Sequence, residues 1–132
     1  MISSITIQTT KRTEVIDVTG QLSAFLGGVR SGIALFNVPH TTAALIICED
    51  DAELREDIIK VAETWLHDLR PFKHIRKNNP NTEAHIMSAA FGTSVILAVE
   101  AGRLQLGTYQ NVLLLELDGP KARVIQAKVI AG

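Results

Sequence analysis

Three of the four histidines in this 132-residue sequence stand where an imidazole could do chemistry. His40 follows Pro39 between two apolar segments, within NVPHTTAALIICEDD. His85 lies near the start of a predicted helix, where the helix dipole lowers an imidazole pKa and favours the neutral, metal-binding form. His74 lies in a predicted loop, eleven residues before His85. Three neutral imidazoles that converge with one coordination position open make a catalytic zinc site.

Each of these histidines also has an ordinary interpretation. His40 could be a turn residue bonded to the backbone, and His85 a surface residue of its helix. The spacing between His74 and His85 is not a recognised ligand motif. His67 is interpreted as a solvated helix position and is not assigned to a site.

Carboxylates offer a second kind of metal site. Residues 49–51 are Glu, Asp and Asp, and Mg²⁺ prefers such oxygen ligands to imidazole. The same acids also suit the positive N-terminus of the helix that is predicted to follow. Glu49 therefore stays a candidate for the site, while its two neighbours have a structural alternative.

The segment GRLQLGTYQN, residues 102–111, contains donors suited to a phosphate or carbonyl oxygen. Arg103, Thr108 and Gln110 supply these donors, and Gly107 permits a close backbone approach. The segment matches neither a P-loop nor a dinucleotide-binding fingerprint, which argues against a nucleotide-hydrolysing machine. The alternative interpretation is a bulged hairpin.

Length and composition predict one globular domain over residues 1–132. Thirteen Lys and Arg balance fourteen Asp and Glu, and 46% of the residues are hydrophobic, so neither a nucleic acid nor a membrane surface is expected as a partner. The N-terminus lacks the pattern of a signal peptide, and no apolar run reaches the length of a membrane span. The single cysteine, Cys48, has no disulfide partner and is interpreted as core packing. We expect a cytoplasmic protein.

Hydrophobic periodicity predicts the elements that position these residues. Residues 2–9 and 12–19 alternate and are predicted to form a β-hairpin, and residues 20–26 a short helix. Residues 32–38 and 43–49 are dense in apolar side chains and are predicted as strands buried on both faces. A short helix over 83–91 and strands at 94–99, 104–106, 111–117 and 123–130 complete the chain.

The strongest helix is predicted at about residues 50–70. Asp50 and Glu53 resemble a capping box, and Pro71 ends the helix. Its predicted apolar face consists of Leu54, Ile58, Val61, Trp65 and Leu69. The predicted fold class is α+β, with a mixed or mostly antiparallel sheet packed on this long amphipathic helix and on short helices.

Several segments taken together resemble one known family. These are VPHTTAALIICEDD, the His at 74 followed by AHIMSAAFGTS, then GRLQLGTYQ, and finally ELDGPKARV. In this order they are similar to the YjbQ-like family, also called secondary thiamine phosphate synthases. The resemblance covers nearly the whole chain.

The resemblance implies a small cytoplasmic α+β protein that forms a homotrimer, with a pocket near the subunit interface. It implies that His40, His74 and His85 are the pocket imidazoles and that a divalent metal, Zn²⁺ or Mg²⁺, binds to them. His40, Glu49 and His85 would be catalytic. The substrate-binding set that we derive from these motifs is Thr41, Arg103, Gly107, Thr108 and Gln110.

The sequence departs from the family pattern at three places. Lys77-Asn78 stands where Glu-Gly is common, which replaces a carboxylate with a cation. Tyr109 replaces the usual Trp, and Asp50 stands where Asn is frequent. These changes bear on substrate and metal preference rather than on the fold.

Two functions follow as hypotheses. The first is an enzyme that forms thiamine phosphate from a pyrimidine methyl diphosphate and a thiazole phosphate. The second is a zinc-dependent hydrolase or a metabolite-binding protein, in which the imidazoles hold a metal that activates water. Both take a small phosphorylated molecule or related metabolite as the partner.

Overall fold

A computed structural model of the chain describes residues 2–75 and 80–132. The strands are β1 (Ser3–Gln8), β2 (Glu14–Asp17), β3 (Gly32–Asn37), β4 (Ala43–Cys48), β5 (Ser94–Glu100), β6 (Arg103–Leu104), β7 (Asn111–Glu116) and β8 (Ala122–Ala131). The helices are α1 (Thr19–Ser23), α2 (Ala52–Thr64) and α3 (Thr82–Phe91), with single 3₁₀ turns at Ala24–Leu26 and His67–Leu69. The predicted α+β class is confirmed.

The strands form two sheets, and all neighbouring strands within each sheet are antiparallel. The five-stranded sheet has the order β1-β8-β3-β5-β6, and the three-stranded sheet has the order β2-β7-β4. The predicted hairpin of the first two strands is wrong, because β1 pairs with β8 and β2 pairs with β7. A short connection made the hairpin the simplest arrangement, but the two strands belong to different sheets.

The molecule has three layers. The inner face of the five-stranded sheet packs on the three-stranded sheet around Phe36, Leu45 and Leu114. The other face of the three-stranded sheet packs on α2 and α3 around Leu113 and Met87. The three-stranded sheet is therefore covered on both faces, as the apolar run of β4 predicted.

Strand β3 differs from the prediction that both of its faces are buried. Ala34 and Phe36 are fully buried, whereas Ile33 and Leu35 point away from the core and are exposed. Cross-strand neighbours extend this exposure, because Leu35 pairs with Ile96 and Ile33 with Ile130. We call Ile33, Leu35, Ile96 and Ile130 the outer apolar face of the five-stranded sheet.

The long helix is shorter and rotated relative to the prediction. Ile58, Ile59, Ala62 and Leu66 contact the core, while Val61, Trp65 and Leu69 from the predicted apolar face are exposed. The helix has apolar residues around much of its circumference, so periodicity alone did not identify the face that packs. None of the helices that the structure describes is long and apolar enough to cross a membrane.

The start of α2 also differs by one residue from the predicted capping box. Asp51 is the N-cap, and its carboxylate accepts a hydrogen bond from the Leu54 N–H at 2.9 Å. Asp50 instead pairs with Arg55, whose guanidinium also donates to the Val15 carbonyl oxygen. The Arg55 hydrogen bond holds the pKa of Asp50 below its ordinary value.

Candidate functional site

Two of the three predicted histidines are brought together. The ring centroids of His74 and His85 are 5.1 Å apart, and the ring planes are nearly perpendicular, at 87°. His85 is on the first turns of α3, and His74 is held beside that helix because the Thr82 hydroxyl donates to its carbonyl oxygen. Sequence separation did not indicate this contact, which depends on the hydrogen bond between Thr82 and His74.

A cleft of about 360 Å³ opens beside His74. It is lined by Arg70, Pro71, Phe72, His74, Ile75, Pro80, Thr82 and Glu83. Its walls combine apolar rings with an imidazole, a hydroxyl and an ion pair. A cleft of this size and chemistry is suited to a small organic molecule that has a polar group.

The ion pair in the cleft was not found from the sequence. Arg70 donates from Nε and Nη2 to the two carboxylate oxygens of Glu83, at 2.6 and 2.9 Å. This bidentate contact lowers the pKa of Glu83 and keeps it ionised. Arg70 precedes Pro71 at the predicted helix end, and Glu83 is in the first turn of α3, so each residue had a structural explanation in the sequence.

His40 is held by the backbone of β8. Its Nε2 accepts a hydrogen bond from the Val124 N–H at 2.9 Å. Burial lowers the pKa of His40, and the positive charge of Arg123 lowers it further, against the opposing effect of Glu116. His40 is therefore biased towards the neutral form. The contact is the one expected for a turn histidine bonded to the backbone.

A buried ion pair holds the segment that follows His40. Arg123 donates from Nη2 to the carbonyl and hydroxyl oxygens of Thr42, at 2.9 and 2.8 Å. The same guanidinium binds Glu116, which also accepts from the Thr9 hydroxyl and from backbone N–H groups. Burial alone would raise the pKa of Glu116, but the hydrogen bonds from Arg123 and Thr9 outweigh it and the pKa is lowered. The sequence prediction did not include this pair, which lies within the ELDGPKARV motif.

The three histidines lie towards the same end of the three-stranded sheet. Thr42, two residues after His40, accepts a hydrogen bond from the Leu117 N–H, and Asn81 at the start of α3 donates to Asp118. Within residues 2–75 and 80–132, however, no three His, Cys, Asp or Glu side chains are grouped so that they could hold a metal. The convergence of all three imidazoles on one ion stays a prediction.

Glu49 and the predicted site residues of the turn before β7 lie at the opposite end of that sheet. Glu49 follows Cys48, which pairs with Asn111 at the start of β7, whereas the His40 end lies beyond Glu116. Six residues of extended strand span about 17–20 Å. In the turn before β7, the Gln110 side-chain oxygen accepts from the Gly107 N–H at 2.8 Å, which leaves Thr108 on the exposed tip. Arg103 on β6 and Thr41 beside His40 are exposed.

Three remaining sequence features have simple outcomes. Cys48 is a free, half-buried thiol at the end of β4. The Lys77-Asn78 departure lies outside the described residues. The Tyr109 ring, in the position of the usual Trp, is 73% exposed.

The fold and site define a small protein of two antiparallel sheets and a helical layer, with a histidine pair beside a cleft. The family model described as UPF0047 protein YjbQ-like matches residues 3–132, and the chain belongs to this family. This finding confirms the resemblance drawn from the four motifs.

Relatives and solved structures agree over nearly the full length. A UPF0047 protein of Archaeoglobus fulgidus is 40% identical over 126 residues, covering 96% of this chain and 98% of the relative. The UPF0047 protein YugU of Bacillus subtilis is 39% identical over 136 residues, covering 98% and 99%. A hypothetical protein of Aeropyrum pernix K1 superposes with a TM-score of 0.92 at 34% identity, covering 100% of this chain and 99% of that one. A YbjQ-like protein of unknown function from Sulfolobus solfataricus P2 also gives 0.92, at 31% identity, covering 100% and 97%.

Proposed function

We propose that this protein is a metal-dependent enzyme that acts on a small phosphorylated molecule in the cleft beside His74 and His85. The observation that supports this most directly is the close, perpendicular pair of imidazoles at 5.1 Å. Edge-to-face packing explains such a contact on its own. The cleft beside the pair also contains an arginine, and it is where we expect a substrate to bind.

The spacing of the pair fits two ligands of one tetrahedral zinc ion. Zn–N bonds of about 2.05 Å, a ring radius of about 1.1 Å and a tetrahedral angle put the two ring centroids about 5.2 Å apart. The separation of the two ring centroids in the structure is 5.1 Å. Imidazole favours Zn²⁺ over Mg²⁺. Asp50 and Asp51, which follow Glu49 at the opposite end of the three-stranded sheet, are engaged with Arg55 and the start of α2, which argues against a magnesium site at those acids.

The residues of the cleft would bind and orient the substrate. Arg70 keeps Nη1 outside its bidentate contact with Glu83, so this group can donate to a phosphate oxygen. Phe72 and Ile75 supply apolar walls for a heterocyclic ring. A bound zinc ion would supply positive charge next to the phosphate oxygens or next to a water molecule.

The specific reaction that we propose joins a pyrimidine methyl diphosphate to a thiazole phosphate. The thiazole nitrogen forms a bond to the methylene carbon, the bond from that carbon to the diphosphate oxygen breaks, and pyrophosphate leaves. Positive charge develops at the carbon, and the diphosphate must be held by cations and donors. The family resemblance supports this choice, and Arg70 beside the histidine pair offers the required charge.

A zinc-dependent hydrolysis is the second candidate. The histidine pair favours it, because two imidazoles and open positions are suited to a metal that lowers the pKa of bound water to about 7. The two candidates differ in their second reactant, which is the thiazole phosphate in one and water in the other.

A homotrimer in the cytoplasm is part of the proposal. The predicted site residues lie at both ends of the three-stranded sheet, so a pocket that contains both groups requires one end from a second copy. The outer apolar face offers a surface on which copies could associate, because Ile96 and Ile130 are 68% and 58% exposed. The single Cys48 suits a reducing compartment.

Metal content and activity test this proposal together. We expect the purified protein to hold about one zinc ion per chain, and His74→Ala and His85→Ala to lose it while staying folded. His67→Ala, a histidine outside the pair, is the matched control and should keep the metal. Mass spectrometry of mixtures with a pyrimidine methyl diphosphate, with and without the thiazole phosphate, distinguishes joining from hydrolysis. Metal content unchanged in both variants of the pair would refute the metal site.

A further inference from the structure

A second cleft adjoins the one beside His74. It has a volume of about 190 Å³ and shares Arg70, Pro80 and Glu83 with that cleft. The residues that line only the second cleft include Arg12, Ala62, Glu63, Ala84 and Leu117. We call this second cleft the polar cleft, because charged side chains from three different segments meet in it.

The floor of the polar cleft belongs to the core. Ala84 and Leu117 are 8% and 6% exposed, and both pack in the core cluster between the three-stranded sheet and the helices. Ala62 of α2 packs against the same cluster. The packing of α2 and α3 on the sheet therefore fixes the shape of the cleft, so the cleft is already formed before a ligand binds.

Charges of opposite sign line this cleft without pairing with each other. Arg12 pairs with Asp118 at 3.3 Å, and Arg70 pairs with Glu83 at 2.6 Å. Glu63 on α2 is exposed, and it forms no ion pair with either guanidinium or with any other described residue. The space that separates the Glu63 carboxylate from the guanidinium groups can therefore hold a small molecule.

Arg12 has donors to spare for an anion. Its Nη2 donates to the Pro80 carbonyl oxygen at 3.3 Å and is the atom that contacts Asp118. Its Nε and Nη1 make no hydrogen bond within the described residues, although both can donate. Asp118 also pairs with Lys121 at 3.0 Å, so it does not depend on Arg12 alone for compensation. A phosphate oxygen can therefore bind Arg12 without breaking its existing contacts.

We infer that the polar cleft binds a small zwitterion, with a phosphate group on Arg12 and an amino group on Glu63. An anion alone would be repelled by Glu63, and a cation alone by Arg12, whereas a molecule with both groups is attracted by both side chains. A phosphate offers more acceptor oxygens than a carboxylate, which suits a guanidinium with two nitrogens still unbonded. This site goes beyond the proposed function, because it requires neither the histidine pair nor a metal.

O-Phosphoethanolamine is the probe, because a short carbon chain joins its phosphate to its amino group. Ethyl phosphate lacks the amino group, and β-alanine has a carboxylate in place of the phosphate. Calorimetry on the purified full chain measures the affinity for each of the three ligands. A repeat of the measurement with a metal chelator separates this site from the proposed metal site.

We expect O-phosphoethanolamine to bind about tenfold more tightly than ethyl phosphate or β-alanine, the effect of one hydrogen bond to a charged group. Arg12→Gln should weaken the binding of both phosphates about tenfold for the same reason. Glu63→Gln should weaken O-phosphoethanolamine about tenfold, because the amino group loses its charged acceptor. It should not weaken ethyl phosphate, because it removes a negative charge from near the anion.

Two further substitutions are the matched controls. Lys11→Gln and Glu56→Gln each remove an exposed charge of the same sign that does not line the cleft, and both should bind all three ligands as the unsubstituted protein does. A direct readout needs no variant. In the amide spectrum of the unsubstituted protein, the signals of Ala62 and Ala84 should move when O-phosphoethanolamine is added.

Several results would overturn the inference. These are an absence of O-phosphoethanolamine binding, or binding that Arg12→Gln and Glu63→Gln change no more than their controls do. Tighter binding of β-alanine would refute the phosphate group, and loss of binding with the chelator would refute the independence from metal. Failure of zinc to bind at His74 and His85 would refute the proposed metal site and leave the polar cleft assignment standing.

Discussion

At the scale of single residues, Glu116 shows how one buried charge supports the loop beside the site. It is fully buried, and its oxygens accept from Arg123, Thr9 and backbone N–H groups. Removing one member of such a pair leaves the other charge buried without compensation. The network therefore matters both for stability and for the position of Thr42, which the same guanidinium holds.

We predict that Glu116→Gln lowers the free energy of unfolding by about 3 kcal/mol at pH 7. The pKa of Glu116 is lowered in the folded state, so its stabilisation is complete above its ordinary pKa of 4.5 and is lost as the pH falls through the folded pKa. Urea unfolding at pH 7, 4 and 3 should show this acid loss in the unsubstituted protein and a smaller loss in the variant. Glu83→Gln is the control, because its exposed partner Arg70 should make the change less than about 1 kcal/mol. A neutral effect of Glu116→Gln would contradict the role of the pair.

At the scale of elements, the start of α2 depends on its N-cap side chain, which the sequence analysis assigned one residue too early. Asp51, rather than Asp50, accepts the Leu54 N–H, while Asp50 pairs with Arg55. Two consecutive acids before a helix are both possible caps, and the choice depends on where the guanidinium of Arg55 lies. That guanidinium is fixed from outside the helix, by the Val15 carbonyl of β2.

We predict that Asp51→Ala lowers the free energy of unfolding by about 1 kcal/mol, because an N-terminal N–H of α2 loses its acceptor. Asp57→Ala, which removes an exposed acid from within the same helix, should change it by less than about 0.5 kcal/mol. Thermal and urea unfolding of both variants measure the difference. Equal effects would show that Asp51 does not act as a cap.

At the scale of the whole molecule, the outer apolar face connects the fold to the proposed assembly. Leu35 and Ile96 are neighbours across strands, as are Ile33 and Ile130, so the exposed side chains form one surface. A monomer that exposed this surface would gain by covering it with another copy. Val61 on α2, together with Trp65 and Leu69 just beyond its end, forms a separate exposed apolar surface on the opposite outer layer.

We predict that Ile96→Lys converts the proposed homotrimer into single chains, because it places a charge on the outer apolar face at its most exposed residue. Leu69→Lys, at a residue of similar exposure on the helical layer, should leave the trimer intact. Sedimentation equilibrium gives the mass of each protein. A trimer that persists in Ile96→Lys would exclude this face as the interface, and a single-chain mass for the unsubstituted protein would refute the homotrimer.

The sequence by itself determined the family, the α+β class and most of the elements. The motifs of the family are continuous in the chain, and β7, β8 and α3 have local patterns of apolar residues and ends marked by glycine and proline. These signals depend on neighbours along the chain, and they needed no knowledge of the tertiary structure.

Only the tertiary structure decided how those elements combine. It separated the predicted hairpin into two sheets, turned a different face of α2 to the core and bonded His40 to Val124. It also joined His74 to His85 and Glu116 to Arg123. The physical reason is that distant parts of the chain compete for the same hydrogen bonds and apolar surfaces. The outcome of this competition depends on the whole chain, so it cannot be read from the local sequence.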